Sequence, residues 1–335
     1  MSYTKIISDL KQKKYAPIYF LMGEEPYFID KISDYIEKNV LQEHEKDFNL
    51  TVFYGKDSTE ENIIATAKRF PMMAEKQVVI VKEAQQLKDI QLFENYVKSP
   101  QASTILVFCH KYKKIDGRKS VGKILKKTSV MFTSSKLRDY ELPDWIKKIV
   151  SVNKMVINPK NTLLLAEYLG ADLAKIEGQI EKLKVILPVG SEITTEVIEK
   201  NIGISKEYNI FELQSALAKK DVLKAVKITN YFAKNPKSNP MVMTISGLYS
   251  YFSKVLGVHV SSNKGNDNAV AKEIGVHPFF VKEYNLATRN YSPGKLVKII
   301  GYLRDYDLKS KGVNNNATYT PHSELMKELM FKIIH

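Results

Sequence analysis

Along the first third of the chain, short unbroken apolar runs alternate with stretches in which apolar residues recur every three or four positions. Ile18-Tyr19-Phe20-Leu21-Met22 is one such run, and further β-rich runs fall at 50–54, 78–81, 104–108 and 129–133. Runs of this length and character predict strands buried on both faces. Helical spacing fills the intervals at 27–40, 59–69, 90–98 and 119–127. Strand and helix in alternation predict a parallel sheet covered by helices.

After Leu137 the strand pattern stops. Leu142-Pro143-Asp144-Trp145 opens a helix with Pro in its first turn, and Trp145 reads as a packing anchor. From Asn161 two helices are expected to meet at Gly170-Ala171-Asp172, where Gly170 suits the end of the first and Asp172 the cap of the second. In that second helix Leu173, Ile176, Ile180, Leu183 and Leu187 form one apolar stripe. Core-facing stripes recur at 210–218, 221–233, 241–260, 292–311 and 323–334. The polar stretches 261–268 and 312–316 read as connections. The pattern divides the chain into an α/β domain over 1–140, a small helical domain over 141–206 and a larger helical domain over 207–335.

The first strand leads into a glycine turn and a helix, the frame of a phosphate-binding loop, GxxxxGK[ST]. Counted from Gly23, the second Gly, the Lys and the Ser/Thr of that motif fall on Phe28, Ile29 and Asp30. Phosphate needs close backbone approach, a Lys charge and a hydroxyl for magnesium. Here it would meet a phenyl ring and carboxylates. The acidic pair expected after Val78-Val79-Ile80-Val81 is equally broken, because Lys82 precedes Glu83. Two independent defects argue against ATP hydrolysis and for a protein that works beside ATPases.

Composition narrows the setting. With 335 residues, 44% of them hydrophobic, the chain is long enough for two or three cores. No apolar run approaches the roughly 20 residues of a membrane span, and the polar N-terminus lacks a signal-peptide core, so the cytoplasm is the expected location. One cysteine, Cys109, leaves no intramolecular disulfide or cysteine-rich zinc site, and its place at a strand end suits a buried small residue. The six histidines show no metal-ligand spacing, and no nucleophile elbow or carboxylate pair offers a catalytic site. No cofactor is expected.

The formal net charge of +14 favours a polyanion as partner. Lys111, Lys113, Lys114, Arg118, Lys119, Lys123, Lys126 and Lys127 crowd one segment, either a solvated face or a footing for nucleic acid. Ala269-Val270-Ala271-Lys272-Glu273-Ile274-Gly275-Val276 suggests the first half of a helix-turn-helix. The helix after it is aromatic and poor in Arg, Asn and Gln, which fits packing better than base reading. Phe70-Pro71-Met72-Met73 lies in a loop before the strand at 78–81. Met72 and Met73 are either buried under the sheet or presented to a partner, and composition alone favours burial.

Taken in order, these pieces resemble the delta subunits of bacterial DNA polymerase III clamp loaders. The likeness is carried by Tyr19-Phe20-Leu21-Met22-Gly23-Glu24-Glu25-Pro26-Tyr27-Phe28, by Lys114-Ile115-Asp116-Gly117-Arg118-Lys119 and by Glu141-Leu142-Pro143-Asp144-Trp145-Ile146. It continues through Leu169-Gly170-Ala171-Asp172-Leu173 and Asn209-Ile210-Phe211-Glu212-Leu213. The most specific pieces are Ala271-Lys272-Glu273-Ile274-Gly275-Val276-His277-Pro278-Phe279 and Tyr306-Asp307-Leu308-Lys309-Ser310-Lys311-Gly312.

The resemblance implies a RecA-like AAA+ domain without working ATPase motifs, a helical lid and a helical collar for assembly. It implies binding to the beta sliding clamp through the loop before the strand at 78–81, and a part in opening that ring. The clamp-binding positions carry over to Met72 and Met73, with Phe70 as a further apolar contact. Partners would be the gamma/tau ATPase subunits, which bind ATP, the delta-prime subunit, and primer–template DNA. Tyr319, which follows 314–316, stands where the family can present an aromatic ring to an exposed base; the alternative is packing beside Pro321. Lys111, Lys113, Lys114, Arg118 and Lys119 are the remaining DNA-binding candidates. A helix-turn-helix transcriptional regulator and a divergent nucleotide-binding enzyme are the competing readings.

Overall fold

The computed structural model describes residues 1–138, 140–205, 207–313 and 320–335, with the backbone alone for Phe279. It divides into two compact units, Met1–Leu137 and Arg138–His335. The second unit takes in both stretches expected to form helical domains.

The first unit runs α1 (Tyr3–Lys11), β1 (Ile18–Gly23), α2 (Pro26–Asn39), α3 (Glu43–Asn49), β2 (Leu50–Tyr54), α4 (Glu60–Ala67), β3 (Gln77–Lys82), α5 (Glu94–Lys98), β4 (Thr104–Lys111), α6 (Ser120–Thr128) and β5 (Val130–Ser134). The five strands are all parallel and ordered β2-β3-β4-β1-β5. Alternate strand residues serve opposite faces, as the pleat requires. Phe20, Val79, Val81, Leu106 and Phe108 pack with Ile63 of α4, Val97 of α5 and Leu125 of α6. Tyr19, Leu21, Val78, Ile80 and Val107 pack on the other face with Ile6 of α1 and Ile29 and Ile32 of α2. Cys109 is buried on that second face, where burial pushes its thiol up to about 12. It is an inert core residue.

Strand positions follow the apolar runs closely. Helix α3 is polar and short and carries too little stripe to be read in advance, whereas α1, also unread, lays Tyr3, Ile6, Ile7 and Leu10 on the core. The segment expected as one helix over 90–98 is a 3-10 turn, Ile90–Phe93, followed by α5. Asp89 caps the turn by accepting from the Gln91 N–H at 2.9 Å.

The second unit is built from α7 (Leu142–Val152), α8 (Pro159–Leu169), α9 (Leu173–Ile186), α10 (Thr195–Ile202), α11 (Ile210–Ala218), α12 (Val222–Lys234), α13 (Met241–Val260), α14 (Asp267–Ile274), α15 (Val281–Asn290), α16 (Pro293–Ser310) and α17 (His322–Ile334). Gly170 closes α8 with φ of +71°. Asp172 caps α9 by accepting from Lys175 N–H at 3.0 Å. The main core of this unit surrounds α13, where Leu248, Phe252 and Val255 meet Leu217 of α11, Ile228 and Phe232 of α12, Leu303 of α16 and Leu329 of α17. Glu212 of α11 takes Lys224 at 2.6 Å and Lys160 of α8 at 2.9 Å.

The suspected helix-turn-helix is a packing corner. Val270 and Ala271 of α14 and Val281 of α15 are buried together against Val258. Gly275 turns the chain between them with φ of +67°, and the second helix begins at Val281.

Candidate functional site

The carboxyl ends of parallel strands are where α/β sheets bind ligands, and here the crevice lies between β1 and β4. The helix after β1 covers one face and the helix after β4 the other. Gly23 ends β1 beside Lys111 of β4 in the same register. Its φ is +127°, and a Cβ there would stand 2.1 Å from the Ser134 carbonyl oxygen, so no side chain fits.

The amides that would cradle a phosphate are already engaged. Glu24 N–H donates to the Ser134 carbonyl at 3.2 Å, and Glu25 N–H donates to Ser134 Oγ at 3.2 Å. Glu25 caps α2, its buried carboxylate accepting from Tyr27 N–H at 3.1 Å. An anion approaching this helix N-terminus would therefore meet a carboxylate where helices usually offer free donors. Ile29, at the position of the phosphate-binding Lys, is wholly buried in the sheet core. Phe28 turns back onto Tyr3 of α1, with ring centroids 5.1 Å apart. Glu25 lies within the motif, where its carboxylate was already legible, whereas Ser134 is not visible as a blocking group because it stands 111 residues beyond Gly23.

The charged end of the crevice is closed as well. Lys111 Nζ lies 2.9 Å from Asp30 of α2 and 3.2 Å from Glu83 after β3. Gln85 completes a ring, donating to the other Glu83 oxygen and accepting from Lys111 N–H at 2.9 Å. Burial pulls the Lys111 ammonium down, but Asp30 and Glu83 outweigh it and hold its pKa above the usual lysine value. Lys82 pairs separately with Glu37 at 3.2 Å. Glu83 and Tyr112 carry φ of +54° and +64°, left-handed backbone that non-glycine residues seldom adopt. One cation, Lys111, thus joins a carboxylate of α2 to one that follows β3.

This geometry corrects one expectation. Lys111 does not join the exposed basic set: its side chain is 14% exposed and committed to two carboxylates. Lys113, Lys114, Arg118 and Lys119 are exposed in the loop between β4 and α6, with Lys123, Lys126 and Lys127 on α6. Ile115 anchors that loop, packing on the core and donating its N–H to Met22 Sδ at 3.5 Å. Tyr319 lies outside the described residues. Among those residues no group of three or more His, Cys, Asp or Glu is placed to hold a metal. No helix among them is long and apolar enough to cross a membrane.

A second site lies between α4 and β3. Phe70, Met72 and Met73 are 81%, 59% and 99% exposed. The burial that composition favours for the two methionines is thus overturned: the loop holds them away from the sheet. Gln77, buried at the start of β3, fixes the near stem by donating to the Arg69 carbonyl at 2.6 Å. Three large apolar side chains on one anchored loop are an adaptable contact surface of the kind that interfaces use.

Comparison with known proteins agrees along the chain. The family model described as DNA polymerase III, delta subunit, matches residues 19–135. The model for the delta subunit's C-terminal domain matches residues 207–326. The DNA polymerase III subunit delta of Bacillus subtilis (strain 168) is 28% identical over 315 residues, 90% of each chain. The solved structure of the Bacillus subtilis DNA clamp loader delta protein is similar with a TM-score of 0.56, at 24% identity over 99% of both chains. That last likeness concerns the fold.

Proposed function

The chain belongs to the DNA polymerase III delta-subunit family, and from that premise we propose that it binds the ring-shaped sliding clamp and helps to open it for loading onto primed DNA. The observation that carries the reading is the anchored loop with Phe70, Met72 and Met73 turned to solvent. Such side chains are retained at cost to solubility when a partner covers them. An apolar pocket on the clamp is the complementary surface.

Binding alone does not open a ring. The loop shifts the clamp toward an open state only by as much as it binds that state better than the closed one. Energy for cycling must then come from elsewhere, because Ser134, Glu25 and Lys111 fill this chain's own nucleotide crevice. ATP is left to the gamma/tau subunits, which with the delta-prime subunit complete the loader, and this chain serves as a non-catalytic component in the cytoplasm. The helical segment after residue 206 acts as the collar that joins these subunits, and the segment before it as the lid. The basic loop at Lys113, Lys114, Arg118 and Lys119, with Tyr319, contributes to primer–template contact inside the assembly.

The test is affinity for the purified sliding clamp of the same organism. Replacing both Met72 and Met73 by Ala removes two anchors worth about 1–3 kcal/mol each, so affinity falls more than tenfold. Melting temperature stays within about 2 °C, since exposed side chains contribute little to stability. Unchanged affinity for the clamp refutes the reading.

A further inference from the structure

A loop that presents apolar side chains to water is stable in that pose only if its main chain is held, and the hold here is specific. Met72 N–H donates to Asn49 Oδ1 at 2.6 Å, and Asn49 Nδ2 donates back to the Met72 carbonyl at 2.9 Å. The same amide nitrogen reaches the Glu45 carbonyl at 3.0 Å. Asn49, the last residue of α3, is 2% exposed, so these bonds are shielded from competing water. One side chain thus pairs with both main-chain groups of Met72, as a neighbouring strand would.

The consequence reaches the next residue. Met73 adopts a left-handed backbone, φ +54°, and is almost completely exposed. A conformation of this kind persists when its surroundings fix it. The bonds at Met72 and the Gln77 bond at Arg69 hold the chain on either side of Phe70, and Met73 follows directly. The neighbour of Asn49 on the other side is Phe48, 67% exposed at the end of the same helix. The Asn49–Met72 bonds bring the end of α3 against the loop, and Phe48 is the residue before Asn49 at that end.

We infer that the docking surface extends to the end of α3: Asn49 is its positioning residue and Phe48 a fourth apolar contact with the clamp pocket. The inference rests on the clamp-binding reading above. Ordering a loop before contact removes part of the entropic cost of association, so the effect of Asn49 is on affinity through the loop and not through a contact of its own.

The experiment measures clamp affinity of the full-length chain and five variants by surface plasmon resonance, with melting curves in parallel. Phe48→Ala should weaken binding about fivefold with no change in melting, as expected for an exposed interface aromatic. Asn49→Ala should weaken it about five- to tenfold and speed proteolysis of the free chain at the 70–76 loop. Added to the Met72→Ala/Met73→Ala pair, Asn49→Ala should cost no further affinity, because the prongs it positions are gone. Asn49→Asp keeps the acceptor for Met72 N–H and should fall between wild type and Ala; it carries the test if the Ala variant loses its fold. Wild-type affinity in Phe48→Ala or in Asn49→Ala overturns the assignment of that residue. An equal Asn49→Ala loss in both backgrounds overturns the positioning role. Failure of the unaltered chain to bind the clamp sinks the underlying reading instead.

Discussion

Replacing Lys111 by Met keeps the aliphatic stem and removes the cation that closes the nucleotide crevice. Its ammonium lies 2.9 Å from Asp30 and 3.2 Å from Glu83. At an effective dielectric of about 20, each contact carries roughly 5 kcal/mol of Coulomb attraction, much of it offset by desolvation of the ammonium. Deleting one partner of a fully buried pair costs about 3–5 kcal/mol, and of an exposed pair about 0–1. The side chains here are 14%, 45% and 31% exposed, so the site lies between those limits. Asp30 can turn to water, whereas Glu83 is held by Gln85 and by its left-handed backbone. The expected loss is about 2 kcal/mol, or roughly 6–10 °C in the melting of a unit this size. Calorimetry of Lys111→Met and Glu83→Gln, singly and together, measures it. Glu83→Gln should destabilise the unaltered chain but restore stability to Lys111→Met, because no unpaired carboxylate is then left at that position. An unchanged melting temperature in Lys111→Met, or an equal Glu83→Gln effect in both backgrounds, would show that the ring of contacts is incidental.

Four further outcomes are expected. Millimolar ATP with magnesium should leave the melting temperature unchanged, since a ligand that binds only the native state must raise it; a clear rise would reveal a nucleotide site despite Ser134 and Glu25. Neutralising Lys113, Lys114, Arg118 and Lys119 in the complete loader should weaken primer–template binding and flatten its salt dependence by about 0.9 in log–log slope for each phosphate no longer neutralised, and Tyr319→Ala should weaken it without altering clamp binding by the free chain. Burial raises the Glu212 carboxyl, but Lys224 and Lys160 outweigh it and hold the folded pKa below the usual 4.5. Its stabilising contribution is therefore complete above that value and lost as pH falls through the folded pKa, so melting curves of Glu212→Gln and the unaltered chain should differ at neutral pH and converge in acid.

The sheet was legible because each strand is a continuous apolar run buried on both faces, and few local patterns compete with that one. Helices α9 and α13 were legible for the parallel reason that their stripes are long. The polar α3 was not, and this omission had consequences. It ends in Asn49, and without it nothing in the sequence says what holds Met72 away from the sheet. Composition then favours burying two methionines beside Pro and Phe, whereas the fold exposes them. The main chain of Met72 is instead bonded twice to one side chain distant in sequence.

Lys111 shows the same limit from the other side. Read along the chain it is the first of a basic run, and charge patterning groups it with Lys113 and Lys114. Strand register places it next to Gly23 instead, facing Asp30 and Glu83, which belong to other elements. A motif count detects that Phe28, Ile29 and Asp30 lack the phosphate chemistry, but it cannot show whether the vacated space is open or filled. Ser134 takes the loop amides, Glu25 the helix terminus and Lys111 the carboxylates. These groups come from three separate parts of the chain, which no local pattern joins. Contacts of this kind tie β1, β3, β4 and β5 together at the carboxyl edge of the sheet. On the function proposed above, such a scaffold presents the docking loop in one pose while ATP-driven changes occur in partner subunits.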